Sequence, residues 1–144
     1  MKKLIICGTL LVALAAATDA EPPAGMVLYF QSGGEVYLLL AEYNGSQRGW
    51  AAFGGGGRAG ETIAETAVHK AHEESRGCFK RADLERRIAG QEPVMDGDFA
   101  SFFAAVDFVP APAVGNHPVP EQTDAFLERG AFAWIPYSAV GGYI

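Results

Sequence analysis

Cysteine is scarce in this chain of 144 residues; there are two, Cys7 and Cys78. Two thiols cannot build a disulfide-dense scaffold or a four-cysteine zinc site. Basic runs are missing as well: no block of Lys or Arg exceeds two residues, and the formal net charge is −6. That excludes a surface built to follow the phosphate backbone of a nucleic acid duplex. There are no internal repeats and no composition break that would mark a second domain. Apolar residues make up 49% of the chain and charged residues 19%, which are the proportions of a folded globular protein. A chain of this length has one core.

The longest apolar run lies at the start. Lys2-Lys3 precede Leu4–Ala17, and Thr18-Asp19-Ala20 follows where a signal peptidase would cut. The run is shorter than the roughly 20 residues of a membrane span, and its charge, length and flanks are those of a secretory leader. Residues 1–20 are therefore expected to be a signal peptide. Residues 21–144 are expected to be an exported domain, periplasmic or secreted, with no membrane attachment after cleavage. Cys7 would leave with the leader. Cys78 would remain as an unpaired thiol, read here as a small core residue.

Met26–Phe30 and Glu35–Tyr43 are rich in Val, Leu and Tyr, and Ser32-Gly33-Gly34 between them completes a hairpin pattern. Asn44-Gly45 opens a second turn, and Trp50–Phe53 reads as a third strand. Gly54–Gly57 reads as a loop, because four successive glycines lose much backbone entropy in regular structure. Thr62–Arg76 has the strongest helix pattern. Thr62 with Glu65 three residues on forms a capping box, and Gly77 supplies a C-terminal stop. Ile63, Thr66, Ala67, Ala71 and Cys78 fall on the inward face. Asp83–Ile88 reads as a short helix with Arg86-Arg87 on its solvated face. Phe99–Val109 reads as a long strand, Pro110–Asp124 as a loop and Ala131–Pro136 as the last strand. This order of elements predicts an α+β layered fold.

Chemistry-bearing residues concentrate in Trp50–Gly77, WAAFGGGGRAGETIAETAVHKAHEESRG. A glycine-rich segment leads into a helix whose first N–H groups are unpaired, so backbone there can approach a phosphate closely. Glu61 stands at the junction. Lys70, Glu73 and Glu74 share one helix patch, since offsets of three and four lie on one face. Adjacent carboxylates repel each other unless a cation lies between them, and hard divalent ions want such oxygens together with substrate phosphates. Phosphate-receiving backbone beside metal-holding carboxylates is the equipment for cleaving a pyrophosphate bond.

The segment resembles the Nudix box. That pattern runs glycine, five residues, glutamate, seven residues, Arg-Glu, an aliphatic, any residue, Glu-Glu, any residue, glycine. Gly55, Glu61, Glu73 and Glu74 match it in spacing, Gly60-Glu61 matches the usual junction, and Trp50–Gly55 resembles the usual lead-in. The match covers Gly55–Gly77. His69-Lys70 replaces the Arg-Glu pair, Ala71 stands for the aliphatic, and the closing glycine is displaced by one position to Gly77. The resemblance implies an α/β/α sandwich around a mixed sheet, and hydrolysis of nucleoside diphosphates linked to another moiety with Mg²⁺ or Mn²⁺.

Carried over by residue, the resemblance makes Glu73, Glu74 and Glu61 catalytic. It makes Glu73, Glu74 and the Gly54 carbonyl metal ligands, with Glu128, or failing it Glu121, completing the set. Gly55, Gly56 and Arg58 would receive phosphate, with Arg48 also nearby, and Tyr29, Trp50 or Phe103 would read a base. His69 and His72 with Glu73 form a second, transition-metal candidate. Lys70 replaces a usual ligand glutamate and cannot coordinate a metal while protonated, unless it snorkels outward and leaves a vacancy. The alternative function is therefore a catalytically impaired Nudix-fold module that binds a nucleotide or a partner. The sequence stops soon after the last strand, so the family's usual covering helix is expected to be missing or reduced to a stub at Val140, Tyr143 and Ile144. The sheet face left open would invite a homodimer.

Overall fold

The computed structural model describes residues 22–143; the leader expected over 1–20 lies outside them. The chain runs β1 (Ala24–Ser32), β2 (Glu35–Tyr43), β3 (Trp50–Ala51), β4 (Phe53–Gly55), α1 (Ile63–Glu74), α2 (Arg81–Ile88), β5 (Val94–Asp96), β6 (Phe99–Ala105), α3 (Ala111–Gly115), α4 (Asp124–Leu127) and β7 (Arg129–Pro136), then a 3-10 helix, Tyr137–Gly142. No helix among the described residues is long and apolar enough to cross a membrane. The class is α+β, as expected. The seven strands form one mixed sheet, in which β1 and β6 run parallel and the other pairs antiparallel.

The β1–β2 hairpin turns where expected. Ser32 pairs with Glu35, and Gly33 and Gly34 take φ of +58° and +80°, the left-handed pair that a two-residue turn needs. Beyond Tyr29 and Leu38 the two strands splay. β4 pairs with Ala24–Met26 of β1, and β3 pairs with Ala41 and Glu42 of β2. The strand expected over Trp50–Phe53 is thus two short strands that change partner at Ala52.

The loop expected over Gly54–Gly57 is corrected in part, because Gly54 and Gly55 belong to β4. Gly25 and Gly54 face each other across the ladder, and the Phe99 ring lies over both. A Cβ on Gly54 would come within 2.8 Å of Phe99 Cζ, and one on Gly25 within 2.9 Å. Ladder hydrogen bonds and ring contact offset the backbone entropy lost there.

Register and the twofold strand repeat sort the side chains by face. Ala24, Met26 and Leu28 of β1, Leu39 of β2 and Phe102 of β6 point to one side. Ala67, Val68 and Ala71 of α1, Leu84 and Ile88 of α2, and Val114 of α3 close the core against them. Each fully buried Leu or Phe there contributes about 1.5–3 kcal/mol. Tyr29, Leu38 and Phe103 alternate to the opposite side, where they line a shallow cleft with Val36 and Tyr137. Among the described residues the segment after β7 is that single 3-10 helix.

The sequence pattern misses β5, α3 and α4. α3 lies inside the stretch read as a loop; Pro110 caps it and Pro112 stands in its first turn, where a missing N–H is harmless. β6 ends at Ala105 instead of Val109, although the Val106 N–H still donates to Tyr29 O at 2.8 Å. Arg87, expected on a solvated face, folds back: its Nε donates to Asp83 Oδ2 at 2.8 Å, and its guanidinium reaches the Ala105 carbonyl.

Candidate ligand site

α1 positions the site. Both halves of the capping box form: the Glu65 N–H donates to Thr62 Oγ1 at 3.2 Å, and the Thr62 N–H donates to the Glu65 carboxylate at 2.8 Å. The helix stops at Glu74, two residues short of the expected end, with Ser75 as its C-cap. Gly77 is left-handed at φ +75°, and Pro120 packs where its Cβ would stand.

Glu61 holds the junction between the glycine segment and the helix. Its Oε2 accepts from the Arg58 N–H at 3.0 Å and from Thr66 Oγ1 at 3.3 Å, and it lies 2.7 Å from His69 Nδ1. That last contact is not an aligned hydrogen bond, since Nδ1 has no such partner. Burial pulls His69 below the ordinary imidazole range, against the pull of Glu61 and Glu73. Burial pushes Glu61 up, but the Arg58 amide and His69 together hold it below the usual carboxylate range.

Glu73 and Glu74 are neighbours in sequence, are both buried, and diverge. Glu73 Oε1 pairs with the Arg58 guanidinium and lies 3.7 Å from Arg81 Nη2 at the start of α2. Glu74 turns inward; its Oε2 lies 2.7 Å from Arg129 Nη2 and accepts from the Gly54 N–H at 3.4 Å. Arg129 is wholly buried and fills the splay of the sheet. Its Nη1 donates to Ala41 O at 2.7 Å, its Nη2 donates to Ala52 O at 2.8 Å, and its guanidinium stacks 3.6 Å from the Tyr43 ring centre. Burial outweighs this pairing and pushes Glu74 up to about 7.

Lys70 does not snorkel outward. It folds back over β4, where a Cβ on Gly55 would lie 3.0 Å from Lys70 Cε and 3.3 Å from Nζ. Its charge favours the ionised form of Glu74.

The other candidates are dispersed. Glu128 is near enough to disfavour ionisation of Glu74, yet its successor Arg129 is the residue that makes the contact. Glu121 is exposed in the segment before α4. Gly56 meets nothing within 4 Å of its Cβ direction. Tyr29 and Phe103 share the cleft on the opposite face, and Trp50 is half-buried on β3. Arg48 lies 5.1 Å over Tyr43. His72 turns from His69, pairing its Nδ1 with Phe79 O at 2.7 Å and packing edge-on against Phe126, so His69, His72 and Glu73 do not converge. Cys78 is half-buried and its thiol is pushed up by burial, as suits a packing residue. Sequence reasoning missed Arg129 and Arg81. The one available signal was a lone arginine heading an apolar strand.

No family model and no curated protein matches the chain. Solved structures do match. A C. elegans Ap4A hydrolase in a binary complex superposes with a TM-score of 0.52 at 15% identity, over 84% of this chain and 83% of the other. The NUDIX domain of Shewanella oneidensis NrtR complexed with ADP ribose gives 0.50 at 12% identity, over 87% and 78%. The fold is Nudix-like.

A Nudix-like fold implies a divalent metal ion, and the residues present do not fit one. A hard cation takes several carboxylate and carbonyl oxygens together. Among the described residues, no three His, Cys, Asp or Glu side chains are grouped to hold a metal. Glu73 is engaged by Arg58 and Arg81, and Glu74 by Arg129. One buried oxygen, Glu74 Oε1, lacks a partner, but a single oxygen is no ligand set. At 4 Å and an effective dielectric constant near 20, two unit charges of like sign repel by about 4 kcal/mol, and a divalent ion doubles that.

Proposed function

We propose that this chain is a Nudix-fold module that binds a nucleoside-diphosphate-type small molecule, with metal-dependent hydrolysis impaired. One observation carries the reading. The strand, loop and capped helix of the box are kept, while Arg129 pairs with Glu74 and Lys70, at the helix position where the box carries a glutamate, lies over Gly55. Gly56, with nothing within 4 Å of its Cβ direction, leaves backbone open to a phosphate. The Arg58 and Arg81 side chains, 56% and 45% exposed, keep donors free for its oxygens. One neighbour is an Ap4A hydrolase and the other is complexed with ADP ribose; both compounds are nucleotides with linked phosphates, which supports this ligand class. On the strength of the leader pattern over 1–20, we place the module outside the cytoplasm.

The test is a melting series with ADP ribose and Ap4A, paired with an assay for released monophosphate in Mg²⁺ or Mn²⁺. A ligand-dependent rise in Tm without product supports the reading. No rise with either ligand contradicts it, as does turnover that Glu73→Gln abolishes. That turnover would establish the second reading, a divalent-metal-dependent pyrophosphohydrolase with Glu73, Glu74, Gly54 and Glu128 as metal ligands and Glu61 beside them. The partnerless Glu74 Oε1 is what favours it. Under the binding reading, Lys70→Glu is the change that brings turnover.

A further inference from the structure

We infer that the phosphates of the ligand are held directly by Lys70 together with Arg58 and Arg81, with no divalent ion between protein and anion. This inference rests on the binding reading above and deepens it. Nucleotide phosphates ordinarily travel with a divalent ion, bound by their own clustered oxygens, which protein carboxylates then hold. Here fixed cations are available to take the ion's place. Arg58, Lys70, Arg81 and Arg129 stand around α1 with the carboxylates Glu61, Glu73, Glu74 and Glu128, four against four.

Three placements make this cation group accessible and ordered. Lys70 is held over β4 because Gly55 has no side chain; its Nζ lies 3.3 Å from where a Cβ would be. Among the described residues it makes no ion pair, whereas Glu61, Glu73 and Glu74 each have a basic neighbour within 4.0 Å. Arg58 is tied at both ends, through its N–H to Glu61 and through its guanidinium to Glu73. Its fork is thus oriented before a ligand arrives, which lowers the entropy lost on binding. Arg81 approaches the same Glu73 oxygen from α2. Lys70 and Glu73, three residues apart, share a face of α1, so the ammonium lies on the side of the helix that the two guanidinium forks reach, and such donors suit linked phosphates.

The experiment is calorimetric titration of the purified chain with inorganic pyrophosphate and with ADP, once in chelator and once in millimolar Mg²⁺. The inference expects binding in chelator at least as tight as in Mg²⁺, because Mg²⁺ neutralises the anion and competes for it. Lys70→Ala is expected to weaken binding in chelator about tenfold or more, as loss of a charge-assisted contact would, and Lys70→Arg to restore most of it. Both variants must keep the parental melting curve. Binding that appears only with Mg²⁺ overturns the inference and leaves the binding reading standing. Unchanged affinity in a folded Lys70→Ala variant also overturns it. No binding of either probe under either condition overturns both.

Discussion

Glu73 and Glu74 are consecutive glutamates on one helix, and they live in two different regions of the molecule. Glu74 faces the splay of the sheet, sealed with Arg129 among the carbonyls of Ala41 and Ala52. Glu73 faces the rim, where Arg58 and Arg81 reach it from half-exposed positions. A buried pair is destabilising to break from one side, because the remaining charge is stranded; a pair whose arginines are half-exposed is partly screened, and Glu73 has two of them, so losing one costs less. The same residue type therefore maintains architecture in one region and orients the half-exposed arginines Arg58 and Arg81 in the other.

The largest effect separating the two regions is expected at the sealed pair. Arg129→Met leaves Glu74 without its guanidinium and orphans the bonded carbonyls. Stability measured by urea unfolding should fall by about 3–5 kcal/mol. A loss under about 1 kcal/mol would show that Arg129 does not hold the splay together.

Glu74 itself gives the next effect, through pH. Its folded value of about 7 lies above the ordinary 4.5, so the folded state binds the proton more tightly than the unfolded state. Its contribution to stability is full below about 4.5, falls as pH rises, and is lost above about 7. The swing is of order 3 kcal/mol. Glu74→Gln should remove that decline from a stability–pH profile, and an unchanged slope would refute it. His69 acts in the opposite sense. Its folded value lies below 6.5, so its contribution is present above 6.5 and lost as pH falls.

A smaller loss is expected at the strand that both regions share. Gly54→Ala drives a Cβ into the Phe99 ring and the Gly25 backbone and should cost about 1–3 kcal/mol by thermal unfolding. The rim gives the smallest effect: Arg58→Ala should change stability by under about 1 kcal/mol while weakening ADP binding. A large stability loss there would erase the distinction between the two regions.

Much of this was legible in the sequence, for local reasons. The capping box at Thr62 and Glu65, the Ser32-Gly33-Gly34 hairpin and the apolar face of α1 each depend on residues a few positions apart, and each formed. Gly54–Gly57 reads as a loop by its glycines alone, although Gly54 and Gly55 are strand, because the ring packed on Gly54 comes from Phe99, far along the chain. Arg129 was overlooked for the same reason: its partners are Glu74, Ala41, Ala52 and Tyr43, and no periodic pattern links them to it. The direction of Lys70 depends on Gly55 lacking a side chain, which is visible only when the strand and the helix are set side by side. β5, α3 and α4 are too short to leave a periodic trace.

The central claim is that fixed cations stand in place of a metal beside Glu74. Electron paramagnetic resonance of free Mn²⁺ tests it most directly, with the ion titrated into the purified chain and into Lys70→Glu. The account predicts an undiminished free-Mn²⁺ signal with the natural chain through the millimolar range, and a reduced one with the variant. Stoichiometric uptake of Mn²⁺ by the natural chain, lost in Glu73→Gln, would contradict it.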